Sequence, residues 1–396
     1  MVNLDSLINN YGSPKVLIDY QNQTKKVVFN FDEVIYMDQN QNVFINDKIQ
    51  SGDPMIIWQD CIDQWKLETT NNEISALGFF SYDFKNILYP NHRFKKHDDI
   101  IPLFWFGKPS NVISMDNCQY DYQKQLMNID KSLQKLHDYN GKIEKIKSYL
   151  YDGDVYQINY TQPLIFDFNQ NPFDLYMQIR QKANPVYGFY LDINDSQFLS
   201  FSPEKFFVKK TNLISSYPIK GTIKRVNNTQ KDLQQIKLLS NSKKDKAEHL
   251  MIVDLLRNDI GKISKFGTVN VNDLFKIKTF ETIHHMESEI QGVAYSNIKE
   301  IDIFKALFPG GSITGAPKYR AIQIIDELES YNRGIYTGCL GTISPNGDMD
   351  FNVCIRTMTI NNNKAVYPVG GGIVWDSNSE LEYNEAKEKA NILDDF

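Results

Sequence analysis

Segments with the length and alternation of β-strands recur along nearly the whole chain, and helical periodicity interrupts them at irregular intervals instead of after every strand. That order constrains the fold most. A regular strand–helix alternation would predict a parallel α/β array, whereas long runs of strands with scattered helices predict an α+β protein built on large sheets. Between Val16 and Gly107 short runs such as Lys26 to Phe31 and Ala76 to Tyr82, separated by Asn, Asp and Gly clusters, read as sheet throughout. Residues 111–140 read as a connection carrying a helix near Tyr122 to His137, and residues 141–396 as a second region with its own strands and helices. In that region helices are expected over Lys142 to Tyr151, Pro172 to Ala183, Ser242 to Asn258, Tyr319 to Leu328, and from Ser379 towards Ile392. Ser242 with Asp245, and Ser379 with Glu382, have the spacing of N-terminal capping boxes. A single strand is expected over Asp350 to Ile360, and Gly370 to Gly372 read as a tight turn or a close backbone approach.

Composition narrows the function classes. The chain has 396 residues, 41% of them hydrophobic and 13% aromatic, enough for a sizeable core. Its 43 Lys and Arg against 49 Asp and Glu give a net charge of −6 without a block of like charges, which argues against a nucleic-acid partner. Cys61, Cys118, Cys339 and Cys354 are dispersed, with no Cys-x-x-Cys pair, as suits a reducing cytoplasm. Met1 to Asn10 lacks the charge and apolar core of a leader, and the most apolar run, Ile100 to Gly107, is broken by Pro102, so no membrane association is expected.

Several groups invite chemistry. Lys220, in Tyr217-Pro218-Ile219-Lys220-Gly221-Thr222, lies between a strand-like run and a glycine, where it is either a solvated amine or a nucleophile. Asp245 and Glu248 on one helix, and Glu382 and Glu385 on another, are each three apart and so share a helix face. Where two such faces meet, four carboxylates demand a cation, and an oxygen-only donor set selects a hard ion, Mg²⁺ foremost; apart, they are solvated surface acids. Pro309 to Lys318 has the glycine spacing of a phosphate-binding loop, but Ala316-Pro317 intervenes and Tyr319 replaces the required hydroxyl. What remains is a turn into a helix N-terminus, suited to a carboxylate. Gly338-Cys339-Leu340-Gly341 looks like a glutaminase nucleophile turn but continues as strand and lies after its would-be partner, His285. His285 reads as an acid/base or as a satisfied structural histidine. Arg356, after an alternating strand, is a carboxylate clamp or a salt-bridged sheet arginine.

Together these pieces resemble the chorismate-utilising enzyme family. The matching segments are Gly153 to Asn159, Ser202-Pro203-Glu204, Pro218 to Thr222, Ala247 to Asp259, Gly310 to Lys318 and Gly370 to Val374, in that order across roughly residues 140–392. The first third resembles the family only loosely. The resemblance implies a four-layer α/β/β/α sandwich of two large, mainly antiparallel sheets with the site between them. It implies Mg²⁺ on Glu248 and Glu385, with Asp245 and Glu382 assisting through water. It implies Glu204 as the acid that protonates the departing C4 hydroxyl of chorismate and His285 as an active-site histidine. Tyr336, Arg356 and Lys389 are implied carboxylate contacts, helped by backbone near Ser312, Gly370 and Gly372.

Two positions point to a branch. Gln157 stands where the water-using members carry a lysine, so ammonia is the implied nucleophile. The Pro-Ile-Lys-Gly-Thr around Lys220 resembles the branch that makes aminodeoxychorismate for para-aminobenzoate and folate, whereas the anthranilate-forming branch has alanine in place of that lysine. Replacing a hydroxyl by an amine with retention is simplest as two displacements, the first by Lys220, whose amine must then titrate well below its ordinary value of about 10.4. The ammonia is expected from a separate glutamine amidotransferase subunit. The alternatives are an anthranilate synthase component I, which also eliminates pyruvate, and a non-catalytic chorismate-binding subunit.

Overall fold

The computed structural model describes residues 3–95, 100–116, 120–124, 133, 135–193, 195–280 and 283–394. Among these residues, two sheets dominate. The first has nine strands, running from the short edge strand Gly315–Ala316 through Gln157–Asp167, Lys364–Ile373, Thr357–Asn361, Ser196–Ser202, Tyr187–Ile193, Val16–Tyr20 and Lys25–Val28 to Ile113–Met115. The second has twelve. Ile219–Lys224 lies at one end beside Ile283–Val293, then come Leu213–Ser216, Lys205–Lys210, Met349–Val353, Cys339–Ile343, Ala76–Phe80, Phe104–Pro109, Phe31–Met37, Val43–Ile45 and Lys48–Gln50, with Asn270–Thr279 also paired to Ile283–Val293. Neighbouring strands run antiparallel, the longest ladder pairing Lys364 to Ile373 with Asp167 to Ile158.

Three separate cores show how the sheets are layered. Alternation along Val16–Tyr20 sends Leu17 to one face and Val16, Ile18 and Tyr20 to the other. Leu17 joins a core with Tyr190, Leu199 and the helices Leu136–Tyr151, Pro172–Ala183, Lys318–Leu328 and Ser379–Lys389. Val16 and Ile18 instead meet Phe189, Phe198, Leu77, Phe79, Trp105 and Leu340, which come from both sheets. On the far face of the second sheet Phe80, Phe104 and Phe106 pack against the helices Pro54–Glu68, Lys243–Gly261 and Glu300–Leu307. One core lies under each helix layer and one between the sheets, so the order is helix, sheet, sheet, helix. With both faces covered, a central strand such as Ala76–Phe80 is buried along its whole length.

Local signals account for most elements and for the departures from expectation. Ser242 caps its helix as its spacing implies, accepting from the Asp245 N–H at 3.2 Å. At the last helix Asn378 is the cap, accepting from Glu380 and Leu381 N–H, and Ser379 is already the first helical residue. The N-terminal stretch expected to be all sheet contains the helix Pro54–Glu68, signalled by Asp53, which accepts from Met55 and Ile56 N–H, and by proline at the first helical position. Thr229–Asn241 and Glu300–Leu307 are helices where none was expected; Asn228 caps the first. The helix near Tyr122 to His137 falls largely outside the described residues, and the next one begins at Leu136.

Two corrections bear on the site. The strand expected over Asp350 to Ile360 is two strands in different sheets, Met349–Val353 in the second and Thr357–Asn361 in the first, with Arg356 in left-handed backbone (φ 49°) between them. Gly370 to Gly372 lie inside the strand Lys364–Ile373 and form no turn. No helix among the described residues is long and apolar enough to cross a membrane.

Phe80 sits among the rings of Trp58, Phe84, Phe104, Phe106 and Phe304, with centroids 4.4 to 5.7 Å away. Phe80→Ala is expected to destabilise the fold by about 3–5 kcal/mol, read as a lower urea midpoint.

Candidate active site

At one end of the second sheet the edge strand Ile219–Lys224 pairs with Ile283–Val293, and the ladder slips between Lys220 and Thr222. Gly221, at the slip, has φ 72°, and a side-chain carbon there would lie 3.1 Å from the Asp245 side chain. Glycine is required on both counts. Across the gap, in the first sheet, Gly372 faces Asn159 in the ladder. A side-chain carbon on residue 372 would lie 2.9 Å from Gln157 Nε2 and 3.1 Å from Lys220 Nζ. The lysine of one sheet and the amide of the other therefore meet over a bare backbone. Gln157 is wholly buried, and neither atom of its amide has a hydrogen-bond partner in the protein. A buried amide with an open donor and an open acceptor is positioned for something that is not protein.

Burial holds the Lys220 ammonium below its ordinary value; Lys389 acts in the same direction, while Glu248, Glu204 and Glu385 only partly offset the loss of solvent. Glu204 is shifted the opposite way. Burial pushes its carboxyl up to about 7, although the Ser312 hydroxyl and the Lys220 charge favour the ionised form; Glu287 repels it. Ser312 Oγ donates to Glu204 Oε1 at 2.6 Å. A half-buried amine whose charged form is disfavoured and a buried acid whose ionised form is disfavoured are thus electrostatic neighbours, with pKa values displaced towards neutrality from both sides.

The two acidic pairs face this centre from Lys243–Gly261 and Ser379–Lys389. Burial raises Glu248 despite Lys220 and Lys244, and Asp245 and Glu382 add repulsion. Burial also raises Glu382, against a hydrogen bond from Ser377, with Glu385 repelling it. Glu385 has a side chain more than half exposed; its partial loss of solvent is outweighed by Lys389, 2.8 Å away, and by Lys220, so it lies below its ordinary range. Lys389 also donates to the Gly370 carbonyl at 2.7 Å, and Lys244 stands 3.9 Å from Glu248. Among the described residues no three His, Cys, Asp or Glu side chains are drawn tightly enough to form a metal cage. The donor set is nevertheless oxygen-only, and its mutual repulsion is what a hard divalent cation relieves, so the residues fit Mg²⁺.

The remaining implied contacts differ in burial, strand pairing and electrostatic neighbours. Tyr336 is buried, and its N–H donates to the Arg333 carbonyl at 2.9 Å. Arg356 and Tyr336 both act on the phenol of Tyr367, which burial raises, so the three are electrostatic neighbours. Gly370 faces Thr161, two residues along from Gly372 opposite Asn159. His285 is buried against Phe280 at 4.6 Å, with Nε2 unbonded and 3.5 Å from Glu287 Oε2. Cys339 lies in a strand, and burial pushes its thiol far above the reactive range. Lys318, at the end of the glycine-rich loop, donates to Asp259 at 2.6 Å and to the Leu307 carbonyl at 2.8 Å, which ties that loop to the helix Lys243–Gly261.

Sequence reasoning missed two features. Glu287 influences both Lys278, with which it is paired, and Glu204; its place in an alternating strand gave no warning of that. The buried ion pair of Glu329 and Arg333 was legible only as an i, i+4 spacing.

Comparison with known proteins agrees with this geometry. Residues 119–395 match the family model described as chorismate binding enzyme. The chain is 34% identical over 372 residues to aminodeoxychorismate synthase component 1 of Escherichia coli (strain K12), spanning 87% of this chain and 82% of that protein. It is 36% identical over 297 residues to anthranilate synthase component 1 of Acetivibrio thermocellus, spanning 75% of this chain and 59% of that one. The crystal structure of anthranilate synthase component I from Streptococcus pneumoniae aligns with a TM-score of 0.79 at 26% identity, covering 94% of this chain and 92% of that one.

Because the folded-state pKa of Glu204 is raised to about 7, the folded protein holds a proton there that the unfolded chain releases near its ordinary value. The stability gained from that proton is full below the unfolded value and is lost as pH rises towards 7. Glu204→Gln should remove this dependence, so wild type should lose up to about 3 kcal/mol relative to the variant between pH 4.5 and 8, measured by urea denaturation at a series of pH values.

Proposed function

We propose that this chain, which belongs to the chorismate binding enzyme family, aminates chorismate at C4 with ammonia to give 4-amino-4-deoxychorismate, the precursor of para-aminobenzoate and folate. The observation that carries the reading is the meeting of Lys220 and Gln157 over Gly372, with the lysine titrating below its ordinary value. A neutral amide offers ammonia an acceptor but offers water no base, which favours amination over hydration. A lysine there offers a nucleophile within the site.

In the reaction so read, the neutral Lys220 amine attacks C2 of the ring, both ring double bonds shift (C1=C2 to C1=C6 and C5=C6 to C4=C5), and the C4–O bond breaks as Glu204 passes its proton to the departing hydroxyl, which leaves as water. Ammonia held by Gln157 then attacks C4, both double bonds shift back, and the C2–N bond to Lys220 breaks. The product ammonium returns one proton to Glu204. Lysine and acid are both regenerated, and the net change is chorismate plus ammonia to aminodeoxychorismate plus water. Arg356 and Tyr336 orient one carboxylate of the substrate, and the Gly370 and Gly372 backbone, Ser312 and Lys389 line its remaining edge. Glu248 and Glu385 would hold Mg²⁺, with Asp245 and Glu382 assisting through water; the chemistry the ion supplies is charge neutralisation of the ring carboxylate. His285, beside Glu287, is kept as a proton-handling group.

Ammonia is proposed to come from a separate glutamine amidotransferase subunit, in the cytoplasm, since the cysteine in the glutaminase-like turn is buried and unreactive. The second reading, anthranilate formation, is favoured by the likeness to anthranilate synthase component 1. Product analysis with chorismate, Mg²⁺ and ammonium separates the two. Aminodeoxychorismate without pyruvate is expected from wild type, and Lys220→Ala should lose on the order of 10³-fold in kcat. Anthranilate plus pyruvate, with no added lyase, would reverse the assignment, and full turnover by Lys220→Ala would return that side chain to a structural role.

A further inference from the structure

Glu329 and Arg333 form an ion pair with side chains only 3% and 1% exposed, in a link between elements where the mechanism above gives them no part. Arg333 Nε donates to Glu329 Oε2 at 2.8 Å and Nη2 donates to Glu329 Oε1 at 2.7 Å, a two-pronged fork. The rest of the guanidinium reaches three separate pieces of chain. Nη2 donates to the Asn159 carbonyl at 2.7 Å, and Nη1 donates to the Ile313 carbonyl at 3.0 Å and to Thr337 Oγ1 at 3.2 Å. Glu329 Oε1 in turn accepts from Thr161 N–H at 2.8 Å and from Thr161 Oγ1 at 2.7 Å. The Tyr82 ring lies 4.8 Å from the guanidinium carbon.

Each of the three pieces borders a proposed substrate contact. Asn159 and Thr161 face Gly372 and Gly370 across the ladder. Ile313 follows Ser312, whose hydroxyl holds Glu204. Thr337 follows Tyr336. The edge strand Gly315–Ala316 pairs only with Ile158 and Gln157, so beyond it the Glu329 carboxylate supplies the acceptor that a neighbouring strand would otherwise give Thr161. A buried ion pair is weak evidence of stabilisation, because desolvating two charges consumes most of their attraction. What this pair does supply is geometry: a rigid planar donor with five N–H groups fixes directions that a flexible ammonium cannot.

We propose that Arg333, locked by Glu329, is a positioning residue that sets Ser312, Tyr336 and the Gly370–Gly372 backbone in register, so that they close on one anionic substrate as a unit. The proposal rests on the chorismate reading for the identity of that substrate. It does not rest on it for the coupling of the three segments.

The test is Arg333→Lys, which keeps the charge and loses the fork. Its KM for chorismate should rise about 10- to 100-fold while kcat stays within about threefold. Amide hydrogen exchange over residues 157–161, 310–316 and 336–338, measured without any ligand, should accelerate together, with the core around Phe80 unchanged. Should that variant fail to fold, Thr337→Val removes only a hydroxyl, which accepts from Arg333 and donates to the Tyr336 carbonyl at 2.6 Å, and should show the same KM-led split at smaller size. An unchanged KM in a folded variant, or faster exchange in one segment alone, would overturn the proposal. If wild type neither binds nor converts chorismate, the function reading falls instead, and the exchange measurement decides the coupling by itself.

Discussion

Two sheets packed face to face leave a single gap, and everything chemical about this protein depends on how that gap is filled. Over most of its extent it is filled by large apolar side chains, Phe79, Trp105, Phe189 and Phe198 among them. At one end the filling changes to the buried Gln157, Glu204 and Glu287 and the half-buried Lys220. The apolar part holds the sheets at a fixed separation, and the polar part must then satisfy itself within that distance. Gly372 is where the separation is least forgiving, since a single added carbon would strike both the lysine and the amide.

Charges enclosed in this way regulate one another. Partly removing Lys220 from water disfavours its charged form, and removing Glu204 from water disfavours its ionised form. Neither effect needs a special sequence motif, only a dry space and neighbours of mixed sign. The acidic helices add a second layer of the same logic. Lys389 and Lys244 stand beside Glu385 and Glu248 as partial counter-ions, which is enough to hold Glu385 low while Glu248 and Glu382 stay raised.

How much of this was legible in the sequence depends on whether the cause was local. The cap at Ser242, the helix Pro172–Ala183 and the strand character of the central segments follow from nearest-neighbour chemistry and were readable. The acidic pairs were readable as faces, because their spacing fixes a face whatever surrounds it. The split of Asp350 to Ile360 into strands of two different sheets was not, because alternation continues on both sides of Arg356 and only the left-handed backbone there marks the crossing. Nor was the glycine triplet readable as strand: a side chain at Gly370 would strike the Tyr160–Thr161 backbone, and one at Gly372 would meet Gln157 and Lys220, all distant in the chain. The helix Pro54–Glu68 was hidden because its faces differ little in polarity: Ile56 and Leu67 are exposed, while Gln59 is buried with Trp58, Ile62 and Trp65.

The composition of the two sheets has a further consequence. Strands from residues 16–115 are interleaved with later ones in both, so that Val16–Tyr20 lies beside Tyr187–Ile193 and Ala76–Phe80 beside Cys339–Ile343. The family match begins at residue 119, yet the strands of residues 16–115 supply three of the nine strands of the first sheet and five of the twelve of the second. A polypeptide starting at residue 119 would carry every group assigned to the reaction and yet present new sheet edges and part of an apolar interior to water. The first third is therefore not free to depart, because it supplies part of the walls on which the chemistry is mounted.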